Sequence, residues 1–300
     1  MNYLKYVDKN VASQSGKTFI ITGATSGIGY HLAFYLAYKN ANLVLACRNL
    51  AKANKVKEDI LKLYPNSIIE VLRYDQADFS SIKEFASKIK DRKIDALVLN
   101  AGIFHCKNGL VSVDGFPLTV GTNYLGAFFL LENLNNSLAK NIKRVVMTSS
   151  VVRHFGKTNN PNKYLVDIKN RPNRTYNVSK QMNFNMAGNL KEAFPNLEVV
   201  LTHPGIAKTN ITKEEHSSFS KFVKVGGDVF FNIFANSGEK SALCTLIAST
   251  KEINKSIEYV YPRGPFHFRG LPKTKSLKLK RIKNEQLRLA SKNLIKNYLD

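Results

Sequence analysis

Residues 22–29 read Thr22-Gly23-Ala24-Thr25-Ser26-Gly27-Ile28-Gly29. They follow a short β-branched run over 17–22 and open an apolar-periodic segment over 26–39, the pattern strand, glycine turn, helix. In that setting each glycine has a separate use. Gly23 permits a tight turn, Gly27 lets backbone approach a pyrophosphate, and Gly29 lets the helix pack close to the sheet. Unpaired N–H groups of the first helical turn, backed by the helix dipole, then face the phosphates. Thr25, Ser26 and Ile28 lie in the same turn and are counted with the three glycines as cofactor-binding residues.

Outward from this turn the rhythm repeats. Apolar runs at 42–46, 67–72, 94–99, 143–148, 197–201 and 257–261 alternate with helical segments at 50–63, 80–90, 120–138, 176–194 and 239–249. The runs are continuous rather than alternating, as strands covered on both faces should be. The pattern predicts an α/β fold: one Rossmann-type, doubly wound domain with a mostly parallel seven-stranded sheet and helices on both faces. The expected division is 1–272 for this domain, with substrate loops at 151–173 and 206–235, followed by a basic helical tail at 273–300.

Composition narrows the class. A chain of 300 residues, 44% hydrophobic and 22% charged, with no linker-like stretch, suits one large domain. Cys47, Cys106 and Cys244 are too few and too scattered for a disulfide frame or a metal site, so no metal is expected. The start lacks the apolar core of a signal peptide, and no run of about 18 apolar residues occurs, so the expected location is the cytoplasm. The net charge of +23 is unusual. Its lysines are spread along the whole chain, which reads as compositional bias, and no specific nucleic-acid partner is expected. The tail alternates lysines with leucines and isoleucines. That permits weak membrane-surface contact, a partner contact, or a helix laid on its own domain.

The end of the second strand, Ala46-Cys47-Arg48-Asn49, holds no acid. An acid there selects NAD, whereas an arginine accommodates the 2′-phosphate of NADP. Arg48, with Asn49 beside it, therefore points to NADP(H), with NAD(H) the alternative. Further on, Tyr176 and Lys180 lie one helical turn apart on one face. A nearby ammonium favours a phenolate, so Lys180 is expected to pull the Tyr176 pKa down.

The glycine stretch, Asn100-Ala101-Gly102 after the fourth strand, and the Tyr176/Lys180 pair together resemble the short-chain dehydrogenase/reductase family over about 16–262. The longer gap from Ser150 to Tyr176 and the run Asp114-Gly115-Phe116 are similar to its retinol dehydrogenase and protochlorophyllide reductase branch. The resemblance implies a tetrad of Asn123, Ser150, Tyr176 and Lys180. It also places Asp75 and Gln76 near the adenine, Asn100, Ala101 and Gly102 along the cofactor, and Pro204, Gly205 and Thr209 near the nicotinamide. The implied activity is NAD(P)-dependent interconversion of a carbonyl and an alcohol on a small to medium apolar substrate. Tyr176 would move the proton, Ser150 steady the oxygen, Lys180 hold the nicotinamide ribose and Asn123 hold a relay water. The alternative is a catalytically silent cofactor-binding regulator or scaffold. His105 and His154, as lone loop histidines, stay outside the predicted site. Phe219, Phe222, Phe230, Phe231 and Phe234 form either a lid or plain core. Substrate identity and oligomeric state, a homo-oligomer included, stay open.

Overall fold

A computed structural model of the protein describes residues 3–104, 109–167, 172–205, 236–253 and 257–299. Helix α1 (Leu4–Asn10) leads into β1 (Thr18–Thr22), α2 (Gly27–Tyr38), β2 (Asn42–Cys47), α3 (Leu50–Leu63), β3 (Ile69–Arg73), α4 (Phe79–Ile89) and β4 (Ala96–Leu99). Helix α5, over 118–133, carries a π turn, Gly121–Leu125, inside it. Then come β5 (Arg144–Thr148), a short α6 (Asn162–Leu165), α7 (Pro172–Ala193), β6 (Glu198–Thr202), α8 (Gly238–Thr250), β7 (Ile257–Pro262), β8 (Pro272–Leu277) and α9 (Glu285–Leu299).

The sheet runs β3-β2-β1-β4-β5-β6-β7-β8. Strands β1 to β7 are parallel, and β8 pairs antiparallel with β7 from Ile257↔Leu277 to Pro262↔Pro272. Successive strand residues feed opposite cores, as the two-residue period requires. Ile20, Leu97, Val145 and Leu201 pack with α4, α5, α7 and α9, while Phe19, Ile21, Val98 and Val200 pack with α1, α2, α3 and α8. This is the doubly covered sheet that the apolar runs predict. Among the described residues no helix is long and apolar enough to cross a membrane.

Two local readings change. The sheet has eight strands rather than seven, because Pro272-Lys273-Thr274-Lys275-Ser276-Leu277 is an edge strand rather than the start of the helical tail. Its lysines are exposed, as suits an edge that must not pair with another chain. Helix α7 also starts four residues before Tyr176, with Pro172 in its first turn, where a missing N–H costs nothing.

The last segment is docked on α7. Gly188 leaves no room for a side chain: a Cβ there would lie 2.7 Å from Lys283 N. Asn185 Nδ2 donates to Ile282 O (2.7 Å), and Asn189 exchanges bonds with Asn284, donating to its carbonyl (2.9 Å) and accepting from its N–H (2.8 Å). Leu287, Ser291 and Ile295 of α9 are buried, and Ser291 shares a 2.8 Å hydrogen bond with the hydroxyl of Tyr124. The apolar stripe of the tail thus packs against the protein itself.

Candidate active site

The carboxyl ends of β1, β2, β4, β5 and β6 open into one cavity of about 950 Å³, within the range of ligand pockets. At its floor the glycine turn joins β1 to α2. Gly23 has φ +70°, and a Cβ on it would lie 2.9 Å from Ala101 Cα. A Cβ on Gly29 would meet Gly23 O and come within 2.7 Å of Asn100 Nδ2. Gly29 therefore packs beneath the turn rather than lining the cavity. Asn100 ties the two strand ends together, its Nδ2 donating to Thr22 O (3.0 Å) and Gly23 O (3.2 Å). Helices α3, α4 and α8 are each capped by a side chain, from Asn49, Asp78 and Ser237. Helix α2 is not: Ser26 makes no capping bond, and no acid stands in its first turn. Its free N–H groups beside an open cavity fit a pyrophosphate, which supplies the missing acceptors.

Along the wall from this turn, Arg48, Asn49, Lys52, Asp75 and Gln76 line the cavity. Arg48 is exposed and Asn49 spends its side-chain oxygen on Lys52 N (2.9 Å). Asp75 accepts from Ala77 N at 3.0 Å. Gln76 is a strut: its Nε2 donates to Ala101 O (3.2 Å) and Thr122 O (2.6 Å), tying the β3 end to the β4 end and α5. Lys52, one turn into α3, has no sequence signal beyond its spacing from Arg48.

At the other end stand Ser150, Tyr176 and Lys180. Ser150 follows β5, and its hydroxyl stands near enough to the phenol of Tyr176 to favour its charged form. Ser149 is turned away and donates to Lys180 O at 3.1 Å. Lys180 is 5% exposed; its Nζ donates to Thr148 O at 3.5 Å and lies 5.5 Å from the centroid of the Tyr176 ring. Phe104 meets the same ring edge-on at 4.6 Å.

Asn123 sits in the π turn of α5, 1% exposed and just behind the cavity wall. Its Oδ1 accepts from Ile103 N (2.8 Å), and its Nδ2 donates to Ile103 O (2.9 Å) and Ser179 Oγ (3.1 Å). Both amide hydrogens are committed, so the side chain clamps the main chain after Gly102 to the Tyr176 turn. A relay water held by Asn123 would use its main-chain carbonyl or the second lone pair of Oδ1.

The expected pKa shift also runs the other way. Burial pushes the Tyr176 phenol up to about 12, opposed by the Ser150 hydroxyl. Burial brings Lys180 down to about 8. The ammonium is itself disfavoured by the burial that disfavours the phenolate, so desolvation outweighs its pull. Tyr176 is thus a phenol that keeps its proton at neutral pH, next to a hydroxyl that can steady a developing negative charge.

Beyond β6, Pro204 and Gly205 line the cavity, and Gly205 has φ +83°. His203 before them is fully buried, and its ring Nε2 lies 3.1 Å from His267 O. Thr209, loop 206–235 with its phenylalanines, His105 and Cys106 lie outside the described residues. Val151, Val152, His154 and Phe155 belong to the expected substrate loop 151–173, and with His267 and Phe268, which stand outside the predicted site, they line this end. His154 is exposed on the cavity rim, and His267 comes from the β7–β8 hairpin, which has no signal in an isolated sequence.

A profile of the short chain dehydrogenase family matches residues 17–164. Retinol dehydrogenase 13 of Mus musculus is 31% identical over 250 residues, which cover 81% of this chain and 74% of that protein. Its Homo sapiens counterpart is also 31% identical, over 81% and 75%. Among solved structures, an uncharacterized protein from Mycobacterium paratuberculosis superposes with TM-score 0.73 at 26% identity, covering 96% of each chain. A protein from Beutenbergia cavernae, described as an NAD(P)-dependent gluconate 5-dehydrogenase with bound NADP, has TM-score 0.64 at 19% identity over 82% of this chain and 95% of that one.

Proposed function

The chain belongs to the short-chain dehydrogenase/reductase family, in its retinol dehydrogenase-like branch, and from that premise we propose an NADPH-preferring enzyme that interconverts a carbonyl and an alcohol with Tyr176 as general acid and base. The family is one of NAD(P)-dependent oxidoreductases acting on CH–OH and C=O groups. One observation carries the finer reading: a half-buried phenol, beside the Ser150 hydroxyl and backed by the Lys180 ammonium, opens into the same cavity as an uncapped helix N-terminus.

The dinucleotide, when bound, supplies the hydride. The α2 N-terminus and Gly23 to Ile28 would hold its pyrophosphate. Arg48, with Lys52 a turn away, would take the 2′-phosphate, and Asp75 would meet the adenine. Lys180 would hold the nicotinamide ribose and Pro204 and Gly205 the nicotinamide, with Thr209 assigned there by family position. In the reductive direction the substrate oxygen gains negative charge. Ser150 donates a hydrogen bond to it, and Tyr176 gives it a proton. The high phenol pKa suits this donor role, since the proton is in place at neutral pH. In the reverse direction Tyr176 acts as a phenolate, a charge that Ser150 and the neighbouring ammonium favour, and becomes a neutral phenol on accepting the alcohol proton. Val151, Val152, Phe104 and Phe155 give the substrate an apolar surround.

The test is consumption of NADPH against NADH with a panel of ketones, aldehydes and quinones, for the wild type and Tyr176→Phe. NADPH-linked turnover that disappears in the variant supports the reading. Full activity in Tyr176→Phe removes it. Tight NADPH binding with no turnover of any carbonyl favours the silent cofactor-binding regulator.

A further inference from the structure

The end of the cavity beyond Tyr176 is unusual in charge. Asp75 is the only carboxylate among the described lining residues, and it stands at the far end, beside β3. Around the substrate end the charged groups among the described residues are cations. Arg153, nine-tenths buried, stacks its guanidinium on Phe184 at 3.6 Å and lies 5.8 Å from the Tyr259 ring. Its Nη1 reaches Gln181 Oε1 at 3.4 Å, and its buried Nε has no partner among the described residues. A buried guanidinium with neutral partners projects its charge instead of cancelling it.

Strand β8 adds two more cations. Its register sets Lys275 opposite Tyr259 and Lys273 opposite Tyr261, on one face of the sheet. Lys275 Nζ lies 5.4 Å from the Tyr259 ring centroid and 5.0 Å from that of Tyr261. Tyr261 in turn packs on His267 at 4.2 Å, and His267 lines the cavity with His154. Burial first, and then Arg153, Lys275 and His267, hold His154 below the ordinary imidazole range. Burial, Lys275, Arg153 and Lys273 do the same to His267. Among the described residues, the charged groups acting on the two rings are the cations Arg153, Lys275 and Lys273. His267 also sits at φ +59°, a conformation uncommon outside glycine and found disproportionately at functional sites.

Resting on the carbonyl-reductase reading, we propose that the substrate carries a carboxylate remote from its reacting carbon, received by His154 and His267 with Lys275 and Arg153 behind them. Phe104, Val151, Val152 and Phe155 would then enclose the apolar stem between the two ends. The imidazole N–H groups supply directional donors, and the lysine and arginine supply the charge that a neutral pocket would lack. A purely apolar alcohol or aldehyde would make no use of those cations.

The experiment compares NADPH-dependent kcat/KM for a homologous series of ω-oxo carboxylic acids, each beside its methyl ester. It uses the wild type, His154→Leu, Lys275→Glu and, as a control of equal charge change on α9, Lys296→Glu. Expected is an acid-over-ester preference of about tenfold or more at the best chain length. That preference should collapse in His154→Leu and Lys275→Glu and persist in Lys296→Glu. An acid no better than its ester, or a preference equally sensitive to Lys275→Glu and Lys296→Glu, overturns the proposal. A second measurement separates it from the reductase reading: calorimetric binding of decanoate and methyl decanoate to the full chain with NADP. If no carbonyl is reduced, the enzymatic reading falls alone. Decanoate binding weakened about tenfold by Lys275→Glu but not by Lys296→Glu then still supports the cationic wall, and equal weakening or no binding sinks it.

Discussion

Replacing Lys180 with methionine is expected to stabilise the folded chain while disabling the site. The ammonium is 5% exposed, and its hydrogen bond to Thr148 O is a long one, 3.5 Å. Burial brings its pKa from the ordinary 10.5 to about 8. That difference corresponds to about 3 kcal/mol of cost for carrying the charge in the folded state. Between about pH 8 and 10.5 the unfolded chain holds more protons than the folded one. The contribution of this group to stability therefore rises with pH across that window, and the full cost is present below it. Methionine removes the charge and keeps most of the stem volume. For a chain of this length, 3 kcal/mol corresponds to a Tm gain of about 5 °C, expected near neutral pH and shrinking toward zero above about pH 10.5. The assay is thermal melting of both proteins, without cofactor, over that pH range. kcat/KM for carbonyl reduction should fall by roughly 10²-fold or more in the same variant. A variant that melts no higher near neutrality, or whose gain does not shrink with pH, would refute the claim that Lys180 is held charged at a cost.

Tyr176→Phe should lower kcat by roughly 10²–10⁴-fold and leave NADPH affinity within about threefold, because the ring keeps its contact with Phe104. Single-turnover and binding measurements check both parts. Arg48→Ala should cut the NADPH-over-NADH ratio of kcat/KM by about tenfold or more; an unchanged ratio would dismiss Arg48 as the phosphate contact. Gly29→Ala forces a methyl against Gly23 O and Asn100, and should cost about 1–3 kcal/mol in chemical denaturation while weakening NADPH binding. Asn123→Ala removes both bonds to the Ile103 main chain, and should cost about 2–3 kcal/mol by denaturant titration.

How far the sequence carries depends on the kind of information each feature needs. Strands β1, β2, β4, β5 and β6 are legible because both faces are buried, so each carries an apolar run, as in Val145-Val146-Met147, while β3 and β7 stay apolar around Glu70 and Glu258. Strand β8 is not legible for the opposite reason. At an exposed edge Lys273, Lys275 and Ser276 cost nothing, and the stretch reads as a polar tail. Tyr176 and Lys180 come together through helical spacing alone, and Ser150 through its position after a strand. The direction of the Tyr176 shift needs burial, which spacing does not contain. Nor does the sequence show that Asn123 spends its amide on Ile103, since that pairing spans twenty residues and a π turn. Arg153 looks like any loop arginine until Phe184 and Tyr259 are seen around it.

The grip of Asn185, Gly188 and Asn189 on residues 282–284 has a practical side. These three stand on the same helix as Tyr176 and Lys180, a few turns along. Whatever happens after Leu277 is therefore felt as a shove on the back of the helix that presents the phenol. An affinity tag, a fusion or a truncation at that end is a poor choice for anyone purifying the protein to measure turnover.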